Sequence, residues 1–497
     1  MNKVEFAIAY HEATKHHFNR YARSLGYLDW ATQPDPFRRY AGAPLYLFPF
    51  SETDDSPDYS LLYQPGSFAP RPLDAHNLSA FFQHALGLSA WKSIETAQWE
   101  LRCNPSSGNL HPTEGYLIAG PVASLSEYGG VYHYAPREHG LEQRTTFSAS
   151  TWQKLTAACP ADFFVGLSSV HWREAWKYGE RAYRYCQHDA GHALAALRFS
   201  AAAQGWRTVL VDSLADSAIS SLLGLEQRDE GDSAEQEHPD FVLAVFIDPA
   251  SDTQARTIDS SAIAEVAGGA WTGTPNVLSP SHAVDWEIIA ETAEACEKPE
   301  TEPLPVPPLQ PTCIQEAVAL GVSAWRIFQQ RRSAAAMDGR TSISQEAFYR
   351  MLSRVTPAMT PVPWDALPGP VAVHLGLFVH RVEGLPRGLY CLIRDPGQRE
   401  AVVSAMKDDF LWQTPAGCPE ELGLYLLLEA DVRATAVQAS CVQDIAGASA
   451  FSLGMLARFE PLLEDHGAWF YRRLHWEAGM IGQTLYLEAE AAGIRAT

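Results

Sequence analysis

The chain has 497 residues, of which 37 are Lys or Arg and 59 are Asp or Glu, so its formal net charge is −22 at pH 7. This length exceeds one ordinary domain of about 100–200 residues and predicts two domains. Apolar residues make up 46% and charged residues 19%, which excludes a wholly disordered chain. The acidic balance excludes a basic nucleic-acid-binding protein.

No stretch approaches the roughly 18 consecutive apolar residues of a membrane-spanning helix. The charged N-terminal stretch does not resemble a signal peptide. The eight cysteines form no CxxC pair, which favours reduced thiols over a zinc site or a disulfide framework. These patterns predict a cytoplasmic protein without a metal site or a membrane partner.

Two segments predict breaks in the fold. Residues 226–240 are rich in acids and contain Gly and Ser, which favours a solvated loop. Residues 299–311 hold six prolines (PETEPLPVPPLQP), and because proline fixes φ and removes a donor they predict a stiff, extended linker. We therefore expect one domain over residues 1–298 and a second over residues 312–497.

Short β-prone runs and helical patterns occur in both domains. Their irregular alternation favours an α+β fold over a doubly wound parallel sheet. Neither GxGxxG nor GxxxxGK[ST] occurs, so a nucleotide-binding fold of those two types is not supported. The predicted strands are Glu114–Ala119, Gly130–Tyr134, Thr208–Val211, Phe241–Ile247, Ala372–His380, Gly388–Arg394 and Leu422–Glu429.

One helical segment recurs at a fixed offset of 288 residues, as YRYCQHDAGHALAALRFSAAAQG and YRRLHWEAGMIGQTLYLEAEAAG. Small residues at helical spacing suggest that two helices approach closely, and simple core packing is an equally weighted alternative. We interpret the two halves as diverged tandem copies of one domain. The matched positions include Tyr183/Tyr471, Arg184/Arg472, Gly191/Gly479 and, in charge, Asp189/Glu477.

The segment RCNPSSGNLHPTE, which begins at Arg102, is the most informative chemical signal. Its turn carries Pro105, Ser106, Ser107 and Asn109, and would expose hydroxyls, an amide and backbone N–H groups. Such a set can hold a planar polar heterocycle or a phosphate. An ST-turn that caps a helix is the alternative interpretation.

A second signal is the triplet Arg331, Arg332 and Ser333, which follows a predicted helix over Cys313–Gln330. Two guanidinium groups beside a hydroxyl make a phosphate clamp, because Arg offers a two-pronged donor. A solvated basic helix end is the alternative. In a chain of net charge −22 the arginine pair is a local exception.

The third signal is WKYGERAYRY. Lys177 and Tyr178 are potential proton carriers, and Arg181 and Arg184 are potential partners for an anion. The alternative is an amphipathic helix start whose charged residues face outward.

Together these motifs resemble the nitroreductase family. RCNPSSGNLHPTE is similar to its flavin-binding turn, RRS to its phosphate-binding motif, and WKYGERAYRYCQHDAGH to the helix that identifies its azoline-dehydrogenase branch. The runs HEATKHHFNRYARSLGYLDW and GTPNVLSPSHAVDW resemble tandem-domain, stand-alone members of that branch. The resemblance covers most of the chain and implies an FMN-dependent oxidoreductase that transfers hydride through flavin N5 and aromatises thiazolines or oxazolines in peptides.

The resemblance also implies where the cofactor binds. Family members are homodimers in which one protomer supplies the clamp and the other the turn. Here the first half holds the turn without a clamp, and the second half holds the clamp without a turn, its corresponding region being assigned to residues 355–365. We expect an intramolecular pseudodimer of two nitroreductase-like halves, each with a mixed or antiparallel sheet flanked by helices. It would have one composite FMN site and one decayed site. The cofactor residues would be Arg331, Arg332, Ser333, Pro105, Ser106, Ser107, Asn109 and Arg102.

By the same resemblance, Lys177 and Tyr178 match the catalytic Lys-Tyr pair of the azoline-oxidising branch. The substrate would be a peptide or a small molecule, NAD(P)H would visit only transiently, and a further oligomer stays open. Members continue past the repeated helix with a segment that lines the flavin, whereas this sequence ends at Thr497, so an altered flavin environment is expected. The competing function is a flavin-free pseudoenzyme that acts as a binding or scaffold partner in a peptide-modification complex.

Overall fold

The computed structural model describes residues 1–497 except 18, 52, 96, 227–234, 249, 252–253, 255, 283 and 307–318. Both halves of the chain contribute a sheet and one long helix to the fold. Its α-helices are α1 Lys3–Thr14, α2 Ala75–Ala85, α3 Ala149–Leu155, α4 His171–Tyr178, α5 Ala182–Ala203, α6 Asp216–Leu223, α7 Ser260–Ala267, α8 Glu287–Ala295, α9 Ala324–Gln330, α10 Gln345–Arg354, α11 Arg399–Ser404, α12 Arg433–Ala439, α13 Asp444–Ala448, α14 Phe459–His466 and α15 Phe470–Ala491. Its strands are β1 Tyr40–Ala41, β2 Leu45–Leu47, β3 Leu88–Ile94, β4 Ala97–Arg102, β5 Thr113–Ala119, β6 Gly129–Ala135, β7 Gly140–Phe147, β8 Phe163–Val170, β9 Arg207–Leu210, β10 Glu237–Phe246, β11 Thr274–Pro275, β12 Val373–Val379, β13 Gly388–Leu392, β14 Leu424–Glu429 and β15 Phe451–Ala457.

The larger sheet has seven antiparallel strands in the order β2-β7-β6-β5-β8-β10-β9. Helices α2 and α5 cover one face, and α3, α6 and α7 cover the other. Every residue of β5, β6 and β8 is therefore buried. This sheet is a central layer between two helical layers, as expected for an α+β fold.

The smaller sheet has four antiparallel strands in the order β14-β13-β12-β15. Alternate residues of β12, from Val373 to Val379, enter the same core as α5 and α15. Strand β15 lies at the edge of this sheet, and its last four residues are exposed. The two sheets thus share one hydrophobic core through the long helices.

All seven predicted strands are present, with boundaries shifted by up to four residues. The remaining eight of the fifteen strands in the described residues were not predicted. Among them, β8 and β15 have the sequences FFVGLSSV and FSLGMLA, which are largely apolar runs interrupted by Gly. Periodicity alone does not separate such a run from a buried helix segment. They became strands because neighbouring strands satisfy their backbone groups.

The prediction of a solvated loop over residues 226–240 is wrong for its last residues, which belong to a strand. Glu237 begins β10 and is buried. Hydroxyl groups of Tyr40, Tyr116 and Ser168 donate to its carboxylate, which offsets the cost of burying the charge. Residues 227–234 lie outside the described part of the chain.

The proline-rich segment is extended and anchored where the structure describes it. The backbone N–H of Leu304 donates to Asp212 Oδ2 at 2.8 Å, and that of Gly369 donates to the carbonyl of Pro305 at 2.8 Å. The remainder of the predicted linker, and the first part of the helix expected from Cys313, fall outside the described residues. The described part of that helix is α9, which begins only at Ala324.

The two long helices, α5 and α15, contact each other at glycines. A Cβ atom on Gly191 would overlap the backbone carbonyl of Trp476, and one on Gly479 would overlap that of His188. The two contacts are equivalent in the repeat, because 288 residues separate both 188 from 476 and 191 from 479. Only glycine permits so close an approach of the two backbones.

Further contacts show that α5 and α15 run in the same direction. Near the start of both helices, the rings of Tyr183 and Tyr471 stack with planes 3° apart and centroids separated by 6.4 Å. Toward their ends, His192 lies against Gly482 and its ring centroid is 6.1 Å from that of Tyr486. Equivalent positions of the two copies therefore face each other across a local twofold axis.

We expect Gly191→Ala and Gly479→Ala to destabilise the protein by about 1–3 kcal/mol, because overpacking against backbone outweighs the gain of about 1 kcal/mol in helix propensity. Urea unfolding measures the change. The control is Gly454→Ala on β15, where an added Cβ meets no atom within 4 Å. A Gly191→Ala midpoint equal to that of the control would contradict the close packing.

Candidate functional site

The turn that follows β4 is fastened to α5. The backbone N–H of Ser107 lies 3.0 and 3.1 Å from the two carboxylate oxygens of Asp189, and its hydroxyl donates to Oδ1 at 3.0 Å. The hydroxyl of Ser106 accepts the N–H of His111 at 2.8 Å. Asn109 donates its amide to a backbone carbonyl of β4 at 2.9 Å. These side chains are partly exposed, and the hydrogen bonds that they form hold the turn in place.

Two further predicted residues support the turn from inside. Pro105 is buried. Arg102 is buried as well, and its guanidinium donates to the carbonyl of Pro36 at 2.6 Å and lies 5.6 Å from the ring centroid of Phe37. Its side chain braces the preceding loop, so we place Arg102 behind the site and not at its surface.

The predicted clamp reaches the turn directly. Arg331 donates from Nε to the carbonyl of Cys103 at 2.9 Å and from Nη2 to that of Arg102 at 3.0 Å. Its guanidinium carbon lies 5.1 Å from the ring centroid of Tyr486, and the residue is only 4% exposed. The structure thus brings together two motifs from opposite halves of the chain.

The other two clamp residues lie at the end of α9. Arg332 donates from Nη1 to the carbonyls of Gln329 and Arg331, both at 2.6 Å, so that it caps the helix terminus. The hydroxyl of Ser333 lies 3.0 Å from that of Tyr486 on α15. Both arginines of the clamp therefore contact backbone carbonyls.

Lys177 and Tyr178, at the end of α4, lie against the same turn. Gly108 has a φ of 62°, and a Cβ added there would be 2.7 Å from the hydroxyl of Tyr178 and 2.9 Å from Nζ of Lys177. Burial raises the pKa of Tyr178, and Glu174 adds to the shift. The phenol is therefore protonated at neutral pH and suits a hydrogen-bond donor.

Two buried carboxyl groups complete this cluster, and neither was a predicted site residue. Glu174 lies one helical turn before Lys177 and Tyr178, and both its carboxyl oxygens are buried without a partner among the described residues. Burial, together with the charge of Asp189, raises the pKa of Glu174 well above its usual value. Burial raises the pKa of Asp189 to about 7, against the hydrogen bonds from the turn. In the sequence, Glu174 precedes Lys177 and Tyr178 by about one helical turn, and this spacing could have placed it beside them.

In the second half, Glu477 stands at the repeat position of Asp189. It accepts the backbone N–H groups of Ala372 at 2.9 Å and Val373 at 3.4 Å. These groups lie at the end of the segment 355–372, which joins α10 to β12 and contains the expected counterpart region, residues 355–365.

Within the described ranges, no helix is both long and apolar enough to cross a membrane. In the same residues, no group of three or more His, Cys, Asp or Glu side chains is arranged to hold a metal ion.

Comparisons with known proteins show what the chain is similar to. Residues 67–232 match the model of the nitroreductase family. The Methanocaldococcus jannaschii protein named "Putative nitroreductase MJ1384" is 24% identical over 167 residues, which cover 32% of this chain and 79% of that protein.

A crystal structure described as a "putative nitroreductase from anabaena variabilis" superposes with a TM-score of 0.67 at 20% identity, covering 98% of this chain and 92% of the other. The Escherichia coli microcin synthetase McbBCD complex, with truncated pro-MccB17 bound, gives a TM-score of 0.29 at 16% identity over 42% of this chain and 69% of that chain, an overlap too small for an argument. Residues 67–232 are therefore similar to the nitroreductase family, and the chain has a nitroreductase-like fold of helices and antiparallel sheets.

Proposed function

We propose that the protein is an FMN-dependent oxidoreductase with one composite flavin site. The turn of residues 105–109 and the clamp of Arg331, Arg332 and Ser333 would form this site. The observation that carries the proposal is the contact of the Arg331 guanidinium with carbonyls 228 and 229 residues away, immediately before the turn. The similarity of residues 67–232 to the nitroreductase family supports a flavin as the cofactor.

The polar atoms around this contact fit a phosphorylated, planar cofactor. Nη1 of Arg331, Oδ1 of Asn104 and Nδ1 of His192 are buried without a hydrogen-bond partner in the described part of the chain. Buried polar atoms are costly unless a partner satisfies them. Arg331 would bind the phosphate, and the turn with Asn104 would meet the ring system.

We propose further that residues 1–298 and 312–497 are the two members of an intramolecular pseudodimer. Equivalent contacts at Gly191 and Gly479 support this arrangement. So do Asp189 and Glu477, which occupy the same repeat position and each accept a backbone N–H group from the segment before a strand of their own half. In this arrangement each chain would have one composite flavin site.

Bound FMN would supply the hydride acceptor, its N5 atom, and protein side chains would accept the proton. When an azoline ring becomes an azole, one C–H bond breaks as hydride leaves to the flavin, and a proton leaves the neighbouring atom. Lys177 in its neutral amine form would take this proton and become an ammonium, while the protonated phenol of Tyr178 would donate a hydrogen bond to the substrate. Asp189 would hold the turn in register. A peptide azoline is the proposed substrate, and a small molecule with a comparable bond is its alternative.

A specific observation also favours the flavin-free scaffold as a second candidate. Backbone carbonyls already accept donors of Arg331 and Arg332, and Asp189 accepts both donors of Ser107. These contacts would stabilise a closed site as well as a cofactor-binding one. The content of flavin in the purified protein separates the two functions.

We expect the purified or reconstituted protein to hold one FMN per chain, because only one turn and one clamp are present. Absorbance near the flavin bands, set against protein concentration, measures the ratio. Two FMN per chain would contradict the single composite site, and none after reconstitution would favour the scaffold.

The matched variants are Arg331→Met and Ser333→Ala, with exposed Arg340→Met as the control. We expect the first two to weaken FMN binding about tenfold or more, since a charge-assisted hydrogen bond contributes about 1.5–3 kcal/mol. Fluorescence titration of FMN measures the change, and circular dichroism confirms that Arg331→Met is folded. Equal affinity in all three variants would overturn the assigned clamp.

We expect Lys177→Met to lower the rate of flavin reduction by substrate about 100-fold or more, as loss of a general base does, with FMN content unchanged. Tyr178→Phe should have a smaller effect, because it removes a hydrogen-bond donor and not the base. Stopped-flow absorbance measures the rates. The control is exposed Lys92→Met. Unchanged reduction in Lys177→Met would exclude this residue as the base.

We expect Asp189→Asn to remove a pH dependence of stability. Folding raises the pKa of Asp189 from 3.8 to about 7, so the folded state binds more protons than the unfolded state between these values, and stability falls as pH rises through them. The free energy of unfolding of Asp189→Asn, minus that of wild type, should increase from pH 4 to pH 7 and then level off.

Urea unfolding at a series of pH values measures this difference. The control is Asp338→Asn, because hydrogen bonds from residue 341 lower the pKa of that exposed carboxyl to about 2, outside the window. If the difference in unfolding free energy between variant and wild type does not change with pH for either variant, Asp189 is charged over the whole pH range.

A further inference from the structure

The repeated helix carries an arginine at the same position in both copies, with different surroundings. In the second copy, Arg472 forms a two-pronged ion pair with Asp216, Nη1 to Oδ2 and Nη2 to Oδ1, each at 2.8 Å. Both residues are buried. This is the geometry in which a guanidinium binds a carboxylate most specifically.

Arg184, the repeat mate of Arg472, has no such carboxylate. Its Nε and Nη1 atoms are buried and have no hydrogen-bond partner among the residues that the structure describes. The side chain as a whole is only partly buried, so one side of the guanidinium remains reachable from solvent. Burying two charged donors without an acceptor is costly, and a ligand that supplies the acceptor would remove that cost.

The groups that surround Arg184 are basic or neutral. His11 on α1, His188 on α5 and His475 on α15 lie close enough that its charge contributes to their pKa values. Burial, followed by Arg184, lowers the pKa of His11 to about 4 and that of His188 to about 3, so these rings are neutral at pH 7. Neutral imidazoles add N–H donors without adding a competing negative charge.

Two carboxylates on neighbouring elements are already paired with other cations. Glu12 accepts a hydrogen bond from Lys15 at 2.6 Å, and Glu180 forms an ion pair with Arg23. In a chain of net charge −22, a buried arginine without an acid is therefore a local exception. These surroundings favour the binding of an anion that is not part of the protein.

This position is separate from the phosphate clamp but next to the predicted catalytic pair. Eight residues of α5, or about 12 Å along its axis, separate Arg184 from His192, which lies near the clamp. Its neighbour Tyr185 packs on Tyr178 with ring centroids 4.4 Å apart.

We propose that Arg184 binds the carboxylate of a ligand, in the two-pronged manner in which Arg472 binds Asp216. The site lies between α1, α5 and α15, and its ligand is a carboxylate-bearing molecule. The proposal does not depend on a bound flavin, so it can hold or fail independently of the oxidoreductase activity.

A stability comparison on the full chain tests the first consequence. We expect Arg184→Met to keep or raise the melting temperature, because the variant removes an unpartnered buried charge. Arg472→Met should lower it by several degrees, because Asp216 is then left buried and unpaired. An equal loss in both variants would overturn the proposal, since Arg184 would then have a structural partner. Arg184→Gln serves as a second variant if Arg184→Met does not fold.

A binding comparison tests the ligand chemistry. Benzoate in the millimolar range should raise the melting temperature of the wild type in a concentration-dependent manner, and benzamide, its neutral analogue, should not. The benzoate shift should disappear in Arg184→Met and Arg184→Gln and persist in Arg340→Met. Inorganic phosphate in place of benzoate distinguishes a carboxylate site from a general anion site. No benzoate shift in the wild type, a shift retained without Arg184, or an equal response to phosphate would overturn the proposal.

Discussion

The contact of α5 with α15 at Gly191 and Gly479 is the constraint on which the rest of the structure depends. Because neither residue has a side chain, the two backbones meet closely enough for each helix to face elements of the other half. The helices run in the same direction, so residues at one repeat position occupy related places around a local twofold axis. Asp189 on α5 fastens the turn, and Tyr486 on α15 contacts both Arg331 and Ser333.

Corresponding positions of α5 and α15 have different partners. Asp189 anchors a turn rich in hydroxyl and amide groups, whereas Glu477 accepts the backbone N–H group that immediately precedes β12. Arg472 is paired with a buried carboxylate, whereas Arg184 has free buried donors in the described chain. Such pairs offer an internal comparison, because the same backbone position is structural in one copy and available to a ligand in the other.

Burial of charged groups defines the site more than any single motif. Carboxyls at Glu174 and Asp189 lie beside Lys177 and Tyr178 in an environment that disfavours negative charge. The clamp brings Arg331 to the same place from the other half of the chain. Groups desolvated in this way have perturbed proton affinities, which suits proton transfer coupled to a redox step.

The sequence alone determined the α+β class, seven of the fifteen described strands, the repeated helix and the motifs of the site, because periodicity, turn residues and local spacing are properties of a short stretch of chain. It did not determine that the hydroxyls of Ser106 and Ser107 hold the turn in place, that Glu237 is a buried strand residue or that Arg102 lies behind the turn. Those outcomes depend on partners far away in the chain, namely Asp189, the tyrosines around β10 and the loop before β1. The meeting of Arg331 with the turn, and the lack of a carboxylate beside Arg184, were likewise decided only by the tertiary structure. Hydrogen bonding and desolvation act between groups that folding brings together, and no local pattern records which distant group will be present.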